Sequence, residues 1–148
     1  MTSGTYEWGG RKNGGPPLTP AFAATKAYAQ LGYGVADVSP PPNVFITSDL
    51  CAHGKPHPEP YLLGAKHLQA DIARCLVVED APPGVQSGKS AGATVLGLCT
   101  THDRTHIWAR GADYLVPDLS HVHARWQGDQ LFLDIESEER PQEKGNAA

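Results

Sequence analysis

From residue 44 onward, apolar runs and helical periodicities alternate along the chain. Val44-Phe-Ile-Thr47 is a short β-prone run, read as a strand or an extended piece at a sheet edge. Next, Pro58 or Pro60 opens a helix with Tyr61, Leu62, Ala65 and Leu68 on one face and Lys66 and Gln69 turned outward. Leu76 to Glu79 reads as a buried strand, Gly84 to Ala91 as a helix of small residues, and Thr94 to Leu98 as another strand. This order predicts βαβ units and a parallel sheet. Asp103 to Ala112 is expected as a helix carrying Ile107 and Trp108, Tyr114 to Val116 as a short strand, and Leu131 to Ile135 as a last strand.

Upstream, Thr2-Ser-Gly-Thr5 looks like the exit of a strand, and the Gly/Pro-rich stretch that follows predicts a loop insertion over residues 6–18. Thr19 then caps a helix with Pro20 at its first position, Ala24, Ala27, Tyr28 and Leu31 on one face, and Gly32 at its end. From Glu136 the chain turns polar, so 1–135 is expected as one α/β core and 136–148 as a disordered tail.

A length of 148 residues suits one domain. Sixteen acids against twelve bases leave a net charge of -4 with no basic block, which argues against nucleic acid and anionic membranes as partners. Three cysteines, Cys51, Cys75 and Cys99, share no C-x-x-C spacing and read as free thiols. No run reaches the roughly 18 apolar residues that span a bilayer, and the N-terminus has no secretory pattern. A soluble, cytoplasmic protein is expected.

Two stretches carry candidate chemistry. The strand ending at Glu79 and Asp80 delivers two carboxylates to a sheet edge, where open α/β sheets place ligands. Hard oxygens there suit Mg²⁺. Two solvated acids, with Asp80 capping the next helix, are the plainer alternative. Upstream, prolines at 56, 58 and 60 stiffen the loop that presents Lys55, either as a cation for a phosphate or as an ordinary surface lysine. Of seven histidines, His53 and His57 are four apart, but Pro56 and Pro58 exclude a helix joining them, so zinc is not expected there. His102 and His106 lack a third ligand at suggestive spacing, and His121 and His123 fit an exposed strand. No nucleophile elbow or Walker-type loop is present.

Taken together, Gly54-Lys-Pro-His-Pro-Glu-Pro-Tyr61 and Val77-Val-Glu-Asp-Ala-Pro-Pro-Gly84 resemble the third and fourth motifs of the haloacid dehalogenase-like phosphatases. The resemblance is to the fungal branch with glycerol-phosphate and 2-deoxyglucose-6-phosphate phosphatases. It runs from about Thr2 to Leu119 and is most specific over 54–98. It implies a Rossmann-like three-layer domain with a mainly parallel sheet. It also implies Mg²⁺-dependent hydrolysis of a small sugar or polyol phosphate through an aspartyl-phosphate. Lys55 would contact phosphate, Asp80 would ligate the metal with Glu79 assisting, and Thr2 with Ser3 would bind phosphate unless they form a frayed terminus.

The family's first motif, Asp-x-Asp, occurs nowhere in the chain. The resemblance therefore implies a partial domain without its nucleophile strand and cap, inactive alone, with weak Mg²⁺ binding at best. An uncovered sheet edge would then favour self-association. A non-catalytic paralogue that binds a phosphate ligand or a protein is the alternative.

Overall fold

The computed structural model describes residues 4–8, 44, 46–128 and 130–141. Its strands and α-helices run β1 (Gly4–Trp8), α1 (Glu59–His67), β2 (Leu76–Glu79), α2 (Pro82–Ala91), β3 (Thr94–Leu98), α3 (Arg104–Trp108), β4 (Tyr114–Val116), β5 (Val122–Gln127) and β6 (Gln130–Ile135). The expected helix after Thr19 and the loop over 9–18 lie outside the described residues, as do Thr2 and Ser3.

Strands β2, β3 and β4 form a parallel sheet in that order, with Val77 opposite Val95 and Gly97 opposite Leu115. Because side chains alternate across a strand, Val77, Val95 and Leu115 face one way. There they pack with Val85 of α2 and with Ile107 and Trp108 of α3. Full burial of such side chains is worth about 1.5–3 kcal/mol each. Two glycines allow the close approach. A Cβ at Gly88 would lie 2.9 Å from Val95 Cγ2, and one at Gly97 would overlap Ile107, so helix sits almost directly on sheet.

Leu96 and Val116 face the other way and meet Ile135 of β6, with Leu133 and Val122 alongside. Here β1, β6 and β5 form an antiparallel sheet, with Gly4 opposite Ile135 and Val122 opposite Ile135 on its other side. The three layers are therefore helices, parallel sheet and antiparallel sheet. The expected α/β fold is present, and the antiparallel sheet is an addition to it. Residues 4–8, read as a strand exit and the start of a loop, form β1 instead.

Other expectations are adjusted. Val44 and Ile46 are buried, but Val44, Ile46 and Thr47 have no strand pairing among the described residues. Leu62, assigned to the buried face of α1, is 42% exposed. All three cysteines are free.

Residues 136–140, expected as part of a free tail, instead lie along the outer edge of β4. Ser137 is buried, its Oγ accepts the Leu115 N–H at 3.0 Å, and Glu138 N–H donates to Leu115 O at 2.7 Å. The Arg140 guanidinium donates to Ala112 O and lies 5.1 Å from the Trp108 ring centroid. These polar groups occupy backbone positions that a further strand would otherwise satisfy. Among the described residues, β2 pairs only with β3, and no helix is long and apolar enough to cross a membrane.

Packing of β6 on the parallel sheet predicts a large effect from a single truncation. Ile135→Ala is expected to lower stability by about 3 kcal/mol, measured by urea denaturation; a change near zero would show that the two sheets are not docked in solution.

Candidate active site

The carboxyl end of β2 carries Glu79 and Asp80, and the alternation that orders the core also separates them. Glu79 follows Val77 onto the helix side and is buried at 8% exposure. Its carboxylate lies against Gly84, in the first turn of α2, where a methyl group would overlap it. The positive end of the helix dipole there favours an anion. Lys55 Nζ and the Tyr61 hydroxyl both donate to Glu79 Oε1, and the ammonium also lies 5.1 Å from the Tyr61 ring centroid.

A buried carboxylate requires this company, because leaving water is costly unless a cation and hydrogen bonds replace it. The loop that supplies Lys55 is fixed from both sides. Its turn closes through His57 N–H to Gly54 O at 3.0 Å, and Ser87 of α2 donates to His57 O at 2.6 Å. Burial first, and then the adjacent Glu79 charge, push the Tyr61 phenol far above its ordinary 10.0, so it remains a donor.

Asp80 points elsewhere. Its Oδ2 accepts from the Thr101 hydroxyl at 2.9 Å, and its backbone O lies 3.0 Å from His102 Nδ1, in the loop after β3. It nonetheless stays within electrostatic reach of Tyr61, so the two carboxylates flank one strand end. For a hard cation, Asp80 is partly buried and offers an oxygen with no hydrogen-bond partner among the described residues, whereas Glu79 is committed to Lys55 and Tyr61. The donor chemistry of that oxygen suits a hard cation such as Mg²⁺, which keeps several waters and takes one or two carboxylates.

The sequence-level candidates Lys55 and Glu79 thus meet directly, and Asp80 stands beside them. Tyr61 and Gly84 were missed as site residues. Both lie within the motifs already singled out, but Tyr61 reads as a core residue of an amphipathic helix. At the loop's outer rim, Glu59 accepts from Ala52 N–H at 2.7 Å and His53 N–H at 2.9 Å, and the Ala52 N–H first and then the His53 ring hold its carboxyl below the usual range.

The sequence profile described as haloacid dehalogenase-like hydrolase matches residues 19–92, half of the chain. The chain belongs to that family. It is 40% identical over 82 residues to glycerol-1-phosphate phosphohydrolase 2 of Saccharomyces cerevisiae, covering 51% of the chain and 33% of the relative. To 2-deoxyglucose-6-phosphate phosphatase 2 of the same yeast it is 38% identical over 88 residues, covering 55% and 36%. The chain therefore spans about a third of the length of these relatives.

A crystal structure of a HAD family hydrolase from Deinococcus radiodurans, with bound phosphate and sodium, superposes with a TM-score of 0.57 at 25% identity, over 68% of this chain and 48% of that one. The relatives support phosphoester hydrolysis as the family's chemistry.

Glu79 depends on both Lys55 and Tyr61. Lys55→Met leaves the carboxylate buried without its cation and is expected to lower stability by about 3 kcal/mol; adding Glu79→Gln should recover part of that loss in urea denaturation. The raised phenol of Tyr61 acts at alkaline pH. Its contribution is complete below the unfolded tyrosine value, near pH 10, and is lost as pH rises, because the unfolded chain releases the proton first. Wild-type stability should therefore fall above about pH 10 by up to about 1.4 kcal/mol per pH unit more steeply than that of Tyr61→Phe, measured as denaturation midpoints across that range.

Proposed function

We propose that these residues are the phosphate-and-metal side of a phosphomonoester hydrolase acting on a small sugar or polyol phosphate. The observation that carries this reading is the Lys55 ammonium, held by buried Glu79 and Tyr61 beside Asp80 at the carboxyl end of β2. An ammonium fixed before substrate arrives offsets charge on a transferring phosphoryl group without reorganising. Glu79 and Tyr61 act as positioning residues for that cation. Asp80 would hold Mg²⁺, which when bound supplies further positive charge to the phosphoryl oxygens. The yeast relatives named for glycerol-1-phosphate and 2-deoxyglucose-6-phosphate support the substrate class.

The nucleophile of this chemistry is an aspartate in an Asp-x-Asp motif, which these 148 residues do not contain. The chain alone is accordingly read as a phosphate-binding half-site without turnover and with weak affinity for Mg²⁺. Thr2 and Ser3 remain proposed phosphate contacts. With p-nitrophenyl phosphate and Mg²⁺ we expect no hydrolysis above background; a robust rate abolished by Asp80→Ala would overturn the inactivity. Phosphate recognition is tested separately by ³¹P line broadening of orthophosphate, which should shrink in Lys55→Gln and not in the exposed control Lys66→Gln. Broadening indifferent to Lys55→Gln would remove the basis of this reading.

A further inference from the structure

We propose that His53, His57 and Glu59 form a second cation site, selective for a borderline-soft divalent metal such as Zn²⁺, on the outer rim of the loop that carries Lys55. One ligand atom from each of the three residues lies within 4.8 Å of the other two. His53 Nδ1 is 3.0 Å and His57 Nδ1 is 3.8 Å from the same oxygen, Glu59 Oε2. Tetrahedral zinc with bonds of about 2.0–2.1 Å sets its ligand atoms roughly 3.3 Å apart, so small movements of exposed side chains would complete the geometry.

The arrangement does not need a helix. The turn closed by His57 N–H on Gly54 O brings residues 53 and 57 side by side, with ring centroids 4.5 Å apart and a 32° tilt. Glu59, the first residue of α1, is oriented by the backbone N–H groups of Ala52 and His53. Hydrogen bonds of this kind aim a carboxylate toward a metal before it binds. His57 Nδ1 now accepts the Glu59 N–H at a long 3.3 Å, a contact that ligation would replace.

Donor chemistry separates this site from the strand end. Two imidazoles with one carboxylate suit Zn²⁺, while the oxygen donor at Asp80 suits Mg²⁺. The His53 and His57 side chains are 65% and 48% exposed, leaving the fourth position to water and the metal free to enter. Because the ligands bracket Lys55 in sequence, occupancy would clamp the loop that presents it. This inference is independent of the proposed hydrolase function.

The test is calorimetric titration of the full chain with ZnCl₂ in buffer containing excess Mg²⁺. One site is expected, with Co²⁺ giving the absorption bands of tetrahedral coordination. Affinity should fall at least tenfold in His53→Ala and in Glu59→Gln, and stay unchanged in the control His123→Ala. His53 is exposed, so its variant is expected to keep the wild-type circular dichroism and thermal midpoint without metal. Wild-type affinity no greater than that of His53→Ala, or zinc binding abolished by the added Mg²⁺, would overturn the proposal.

Discussion

One buried carboxylate ties the parallel sheet to everything around it. Glu79 leaves the end of β2 on the helix side, where solvent cannot hydrate it. Its neighbours must therefore supply a cation, a hydrogen-bond donor and space. Lys55 brings the cation from a loop, Tyr61 brings the donor from α1, and Gly84 leaves the space at the start of α2. The Lys55 loop, α1 and the start of α2 are thereby fixed against one strand end. The same arrangement that settles the electrostatics of the fold leaves an ammonium at the rim of the sheet, so stability and the site share one origin.

The parallel core was legible because β3 and β4 are covered on both faces and β2, although its Val78 is exposed, carries the same apolar pattern. Val77-Val78, Val95-Leu96 and Leu115-Val116 place apolar residues on successive positions, and such runs have few other outcomes when helical periods separate them. The antiparallel sheet was harder to read for the opposite reason. In β5, only Val122 is partly buried, while His123, Ala124, Arg125, Trp126 and Gln127 are exposed, so no alternation marks the strand. Its pairing depends on β6. Residues 136–140 differ in another way, since their polarity suggests a preference for water. Ser137 and Glu138 instead meet the backbone of Leu115, an exchange of hydrogen-bond partners that composition does not reveal.

At the site, the residue types were readable and their division of labour was not. Adjacent carboxylates at a strand end suggest convergence on one cation. The period of two sends Glu79 toward Lys55 and Asp80 toward Thr101 and His102. Tyr61 was hidden because its ring satisfies the helix's apolar face while its hydroxyl serves the carboxylate. An amphipathic side chain can meet both demands, and only the placement of α1 against β2 shows that it does.

The histidines show where a rule about local structure stops short. Prolines at 56 and 58 do exclude a helix through His53 and His57, yet a helix is only one way to align side chains four residues apart. Here the turn at Gly54 does so, and the prolines that forbid the helix also stiffen the turn. The loop consequently has two chemically distinct sides. Its inner side holds an ammonium against a buried carboxylate, and its outer side holds two exposed imidazoles against a half-buried one. Because the backbone between them is short and restricted, a ligand gripping the outer side would constrain the inner one. Any coupling between the two sides needs no long pathway: it passes through Gly54 to Pro58, a segment anchored at His57 by Ser87.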